Sequence, residues 1–147
     1  FWRPVTIDDG LRTGDEQAAA IAQLLTDVDP PVTVIRSSPA ARCVETVQPL
    51  AATLGVTIES DATLFEGTDI EVAWRGVQQL ARDGIAAVLC SHGDVIPELI
   101  HRARLRGMDT GTASGCKKGS IWALEWDGER FATASYVPSA TKAVTPR

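Results

Sequence analysis

The sequence predicts a three-layer α/β sandwich around a mostly parallel central sheet. Two observations carry this. Short β-branched or wholly apolar runs alternate along the chain with segments whose apolar residues recur at helical intervals. The runs are too apolar to face water, so each needs cover on both faces, as strands of a parallel sheet have. The 147 residues suit one domain with one sizeable core, assigned here to residues 1–137, with a loose tail over 138–147.

The elements follow in order. Asp15 to Leu25 is rich in Ala, Leu and Gln with acidic residues in its first turn, which predicts a helix ended by Asp29-Pro30-Pro31. Val32 to Ile35 is a β-branched run and reads as a buried strand. Ser38 is placed as N-cap and Pro39 as first helical residue of a helix to Leu54, which Gly55 stops. Val56 to Ile58 predicts a short strand, Ile70 to Arg82 a third helix, and Ile85 to Cys90 the central strand. Ile96 to Arg106 reads as a fourth helix that tolerates Pro97 in its first turn. After a polar loop, Ser120 to Trp126 and Glu129 to Tyr136 flank Asp127-Gly128, which predicts a hairpin with a D-G turn.

Composition excludes several functions. A net charge of −5 offers too little basic surface to displace the counterions of a nucleic-acid polymer. No apolar run reaches the roughly 20 residues that cross a bilayer, so no membrane partner is expected. A small anionic ligand stays open, because a local pocket can be positive on an acidic protein. Cys43, Cys90 and Cys116 are odd in number and lie in no framework spacing, which favours free thiols in a reducing cytoplasm. They form no zinc pattern with His92 and His101.

Ligands of open α/β sheets bind beyond the carboxyl ends of the strands, and two such ends carry unusual residues. The first reads Arg36-Ser37-Ser38-Pro39-Ala40-Ala41-Arg42. A cation in a first helical turn opposes the dipole, unless an anion sits between Arg42 and the free N–H groups there. The plainer reading is a surface arginine paired with Glu45 or another acid. The second end reads Cys90-Ser91-His92-Gly93-Asp94, a histidine directly after a buried strand with a glycine that lets a ligand approach the backbone. A turn whose imidazole merely bonds nearby backbone would look the same. Glu66 follows Phe65 in a loop, where desolvation could suit a general acid, though most loop glutamates are simply solvated. His101 reads as structural or exposed, and Lys117-Lys118 either edges an anionic pocket or is a solvated loop pair.

Taken together these segments are more specific than any one alone. Ser37-Ser38-Pro39-Ala40-Ala41-Arg42-Cys43-Val44-Glu45-Thr46 resembles the S-S-P-x-x-R-x-x-E-T segment of the histidine phosphatase superfamily, the phosphoglycerate mutase-like proteins. Ser91-His92-Gly93 resembles that family's second histidine motif, and Gly14-Asp15-Glu16-Gln17-Ala18 its G-x-x-Q-A. Glu66 falls where the family places its proton donor. The short form resembles SixA-type phosphohistidine phosphatases and the domain that follows a Nudix domain in actinobacterial MutT-type hydrolases. Arg3-Pro4, Cys43 to Thr46, Val95-Ile96-Pro97 and Lys118-Gly119-Ser120 favour the latter.

The resemblance implies a phosphoric monoester hydrolase that uses no metal or other cofactor and binds a small phosphorylated substrate or inorganic phosphate. Arg42 would clamp the phosphoryl oxygens, His92 would donate to them, and Glu66 would protonate the leaving oxygen. Ser91 and the backbone at Gly93 would line the pocket. The family's nucleophile, a histidine in R-H-G or R-H-A at the end of the first strand, has no counterpart among these residues. The first strand is therefore expected to be missing from the chain. Either the sequence is a piece of an active parent, with a Nudix domain upstream, or it is a degenerate relative that binds phosphate without turnover. No G-x-S-x-G, G-x-G-x-x-G or Walker loop supports a serine hydrolase or a dinucleotide fold.

Overall fold

A computed structural model of the chain describes residues 5–8, 14–116 and 119–138. Among the described residues, six strands and four helices follow in the order β1 (Val5–Asp8), α1 (Gly14–Leu25), β2 (Val34–Ser37), α2 (Ala41–Leu54), β3 (Ile58–Ser60), α3 (Ile70–Arg82), β4 (Ala87–Ser91), α4 (Val95–Leu105), β5 (Ile121–Trp126) and β6 (Phe131–Val137). A short 3₁₀ turn, Ala62–Leu64, lies between β3 and α3. The strands make one sheet in the order β3-β2-β4-β1-β5-β6. β1 to β4 run parallel, while β5 is antiparallel to β1 and β6 to β5.

The layers can be read from alternate residues of the sheet. On β4, Ala87 and Leu89 join a core with Trp74, Val77 and Leu80 of α3 and Ile96, Leu99 and Ile100 of α4. Val88 and Cys90 join the opposite core, with Ile21 and Leu25 of α1 and Val47 and Leu50 of α2. β5 does the same, sending Trp122, Leu124 and Trp126 to the first core and Ile121 to the second. Helices α3 and α4 thus cover one face and α1 and α2 the other. That is the expected α/β sandwich with a mostly parallel sheet.

One expectation needs amendment. Sequence alone leaves the position next to the central strand empty, whereas Val5–Asp8 occupies it, between β4 and β5. Four residues with a threonine and an aspartate among them carry no period long enough to mark a strand. V-T-I-D contains neither arginine nor histidine, so the occupied position does not supply the missing motif.

Smaller shifts have local causes. β2 runs two residues further than expected, because Arg36 and Ser37 pair in register with Leu89 and Cys90 and Arg36 meets Glu59 across the surface. Ser38 is not the N-cap of α2: Ala40 holds that place without a side-chain cap, and the Ser38 hydroxyl is engaged elsewhere. Helix α2 also contains Pro49, which has no N–H for the helical ladder, and it persists through the buried face of Cys43, Val47, Leu50 and Ala51.

The hairpin loop is four residues, Asp127 to Arg130, rather than a two-residue D-G turn. The Asp127 carboxylate accepts the N–H groups of Glu129 and Arg130, at 2.8 and 2.9 Å, which takes both out of the ladder. Those two bonds, the one from Arg130 first, hold the Asp127 carboxyl below its ordinary value. Lys117-Lys118, Arg3-Pro4 and the tail beyond Pro138 lie outside the described residues, apart from that proline.

Two outcomes test this picture. Leu50 is fully buried, so Leu50→Ala should cost about 2–5 kcal/mol of unfolding free energy in urea titrations. A folded-state value lowered below 3.8 means that Asp127 supports the turn fully above the unfolded value and that this support fades as pH falls through the folded one. Amide protection factors at Phe131 to Val137, which compare exchange with the intrinsic rate at each pH, should fall over that acid window in the natural protein, with the pH-dependent step absent in Asp127→Asn.

Candidate functional site

Three chain segments meet at the carboxyl edge of the parallel strands. β2 passes to α2 through Ser38-Pro39-Ala40, β3 to α3 through residues 61–69, and β4 to α4 through His92-Gly93-Asp94. The neighbours β2 and β4 send their helices to opposite faces of the sheet, and such a divergence opens a crevice at the strand ends.

Arg42, Glu66 and His92 converge there, although Glu66 lies 24 residues and His92 50 residues from Arg42 in the chain. Arg42 Nη2 donates to His92 Nδ1 at 3.2 Å and to Glu66 Oε1 at 3.4 Å. The imidazole is buried, at 2% exposure, while the Arg42 and Glu66 side chains are 43% and 54% exposed. The three therefore differ in kind: a fixed ring behind, and a charged pair at the mouth. An exposed pair of this sort contributes about 0–1 kcal/mol, so an incoming anion can displace the carboxylate from the guanidinium at little cost.

The ring is held from several sides. Its Nε2 lies 2.8 Å from Ser38 Oγ and 3.8 Å from Cys43 Sγ. Phe65 stands edge-on to it, with ring centroids 5.6 Å apart and planes at 88°. The His92 carbonyl accepts the N–H groups of Val95 and Ile96, each at 3.1 Å, which ties the residue to the first turn of α4.

Ser91 was expected to line the pocket. Its side chain is instead buried, at 1% exposure, and its hydroxyl donates to the Leu64 carbonyl at 2.6 Å. Gly67 N–H donates to Asp94 Oδ2 at 2.8 Å. These two bonds bracket Phe65 and Glu66, so the loop with the carboxylate is pinned to the loop with the histidine. Gly93 is exposed beside His92. His101 is exposed on α4, away from this constellation. Two participants were not foreseen: Asp94 as a latch on the Glu66 loop, and Ser38 as the partner of His92. Each bond joins residues too distant in sequence, 27 and 54 apart, for local pattern to reveal it.

Residues 11–71, which hold Arg42 and Glu66, match the family model of the histidine phosphatase superfamily, branch 1. The part of the chain that carries Arg42 and Glu66 thus resembles this superfamily. The chain is 31% identical over 134 residues to the 8-oxo-(d)GTP phosphatase of Mycolicibacterium smegmatis, an alignment covering 86% of this chain and 39% of that protein. The chain thus spans about two fifths of the length of this curated relative. Among solved structures, it is similar to the protein histidine phosphatase SixA complexed with tungstate, with a TM-score of 0.69, 16% identity, and 92% and 94% of the two chains covered. A phosphoglycerate mutase from Plasmodium falciparum gives a TM-score of 0.67 at 21% identity, over 99% of this chain and 94% of that one. At these identities the structural likeness bears on the fold alone, and it agrees with the phosphoglycerate mutase-like sandwich described above. Among the described residues, no helix is long and apolar enough to cross a membrane.

Glu66 competes with any anion for Arg42. Glu66→Gln should therefore tighten inorganic phosphate by about 1.5- to 5-fold at low ionic strength, the equivalent of a surface pair. Isothermal titration calorimetry reads this directly, and an unchanged or weaker affinity would show that the carboxylate does not compete.

Proposed function

We propose that this chain is the phosphate-binding body of a phosphatase domain. In the intact parent protein it acts on a small phosphorylated substrate through a phosphohistidine intermediate. The observation that supports this reading most is the convergence of Arg42, His92 and Glu66 at the carboxyl edge of the sheet, linked by contacts of 3.2 and 3.4 Å. Arg42 clamps the phosphoryl oxygens as its carboxylate partner moves aside. His92, fixed and buried, donates to the same oxygens and stabilises the charge that grows on them. Glu66, at the mouth, protonates the leaving oxygen and then takes a proton from the water that hydrolyses the phosphoenzyme. Gly93 leaves room for the substrate beside His92. Ser91 acts behind the pocket, by holding the Glu66 loop.

The nucleophilic histidine of this scheme is not among the 147 residues, whose two histidines are His92 and His101. It comes from a part of the parent outside this sequence, at the end of a strand that would take the place beside β4. Nucleotides lead the substrate classes, since the relative from Mycolicibacterium smegmatis is named for an 8-oxo-(d)GTP phosphatase activity. Phe65, 42% exposed beside Glu66, offers a surface on which a base can pack. The reading includes an upstream Nudix domain in the parent and a cytoplasmic location.

One observation favours a second reading. Val5–Asp8 already fills the place beside β4 and carries no histidine, which suits a domain that binds phosphate without turning it over.

A paired assay separates the two. The 147-residue chain and a longer product of the same reading frame are tested for phosphate binding and for hydrolysis of p-nitrophenyl phosphate and nucleoside monophosphates. The enzyme reading expects the chain to bind phosphate without turnover, and the longer protein to be active. Arg42→Ala or His92→Ala in the longer protein should then lower kcat/KM by about a hundredfold or more. Binding with no turnover in either protein would establish the second reading. Turnover that survived both replacements would remove the pocket from the mechanism.

A further inference from the structure

We infer that Ser38 is a positioning residue for His92. Its buried hydroxyl holds the imidazole in the tautomer protonated at Nε2 and so keeps Nδ1 turned toward Arg42 and the pocket. The inference rests on reading Arg42 and His92 as phosphate ligands, and goes beyond it by naming what sets the state of the ring.

The argument starts from what each group can do. A guanidinium has donors and no acceptor, so the 3.2 Å contact from Arg42 Nη2 makes His92 Nδ1 an acceptor, without a proton. A neutral imidazole then carries its proton on Nε2, 2.8 Å from Ser38 Oγ. The hydroxyl oxygen is therefore the acceptor of that bond, and it also accepts the Ala40 N–H at 3.3 Å. With the roles reversed, Ser38 donating to a bare Nε2, Nδ1 would hold a proton that points at the Arg42 cation. The geometry disfavours that arrangement twice, by a lost hydrogen bond and by two donors face to face.

Ser38 is built to stay in place. It is completely buried, its N–H donates to the Cys90 carbonyl at 2.9 Å, and its own carbonyl accepts the Ser37 hydroxyl at 2.8 Å. This accounts for a serine that looks like a helix cap in sequence and does not cap in the fold. It also gives a chemical consequence. Since Nε2–H is committed to Ser38, a phosphoryl oxygen arriving at Nδ1 meets a donor only when Nδ1 carries a proton as well, which makes the bound ring an imidazolium. Among the described residues, the charged groups that face it include the Arg42 guanidinium from α2 and, beyond Arg42, the Glu66 carboxylate from the loop before α3. Cys43 Sγ from α2 stands at the Nε2 side.

The chain holds only two histidines, so long-range proton–nitrogen correlation spectra of the labelled 147-residue protein contain two imidazole patterns, with exposed His101 as internal reference. The expected result is an Nε2–H pattern for His92 in the natural protein. Ser38→Ala should lose that pattern, through the other tautomer or a mixture, and weaken inorganic phosphate about three- to tenfold, the scale of one hydrogen bond. Ser38→Thr, which keeps the hydroxyl, should restore both. An Nδ1–H pattern in the natural protein overturns the proposal even if Ser38→Ala does not fold, and so does an unchanged Nε2–H pattern in Ser38→Ala. If added phosphate leaves the His92 signals unmoved while the tautomer still follows Ser38, the phosphate site fails and the positioning bond stands.

Discussion

The central strand β4 is the constraint on which the other elements depend. Residues 87 to 90 are buried on both faces, and both edges of the strand are paired, with β2 on one side and β1 on the other. A strand so enclosed has no freedom to slip, because a shift of one residue would exchange the side chains of the two cores. Its carboxyl end is therefore a fixed point. Ser91 and His92 emerge there, and the first turn of α4 takes up the His92 carbonyl at once.

Rigidity at that point spreads to the more exposed parts of the site. The loop with Phe65 and Glu66 has little core of its own beyond Leu64, yet the Ser91 and Asp94 bonds fasten it at either end. Arg42 is brought close by α2, which packs through Cys43, Val47 and Leu50 on the face opposite α4. The result is a division of labour. Polar groups that set geometry, such as Ser37, Ser38, Ser91 and His92, are buried and hydrogen-bonded, where each bond is strong and a missing one is costly. The charges that would meet a ligand, Arg42 and Glu66, remain in partial contact with water, where exchanging a partner is cheap.

Helices and apolar strands were legible in the sequence because their signals are local. The third helix has the expected bounds, Ile70–Arg82, since a strong apolar stripe, an Asp69 cap and Asp83-Gly84 all act within a few residues. Arg42, Glu66 and His92 could be singled out because each lies where a strand gives way to a loop or helix. What lay beyond local signals was the use of each polar atom. Ser38 and Ser91 are both good turn residues, and nothing nearby distinguishes a hydroxyl that caps a helix from one that crosses to another loop.

The sequence by itself determined the alternation of elements and the burial of the strands, and it singled out Arg42, Glu66 and His92 as candidates through a resemblance to a phosphate-handling superfamily. The elements follow from periodicity and composition, which act over short stretches of chain. The tertiary structure decided that Val5–Asp8 fills the place beside β4, that Ser91 and Asp94 fasten the Glu66 loop, and that Ser38 rather than solvent satisfies His92. Those facts depend on contacts between residues 27 to more than 80 positions apart. Such contacts exist only once two helical layers have closed on the sheet and excluded water, which leaves each buried polar group to find its partner within the protein.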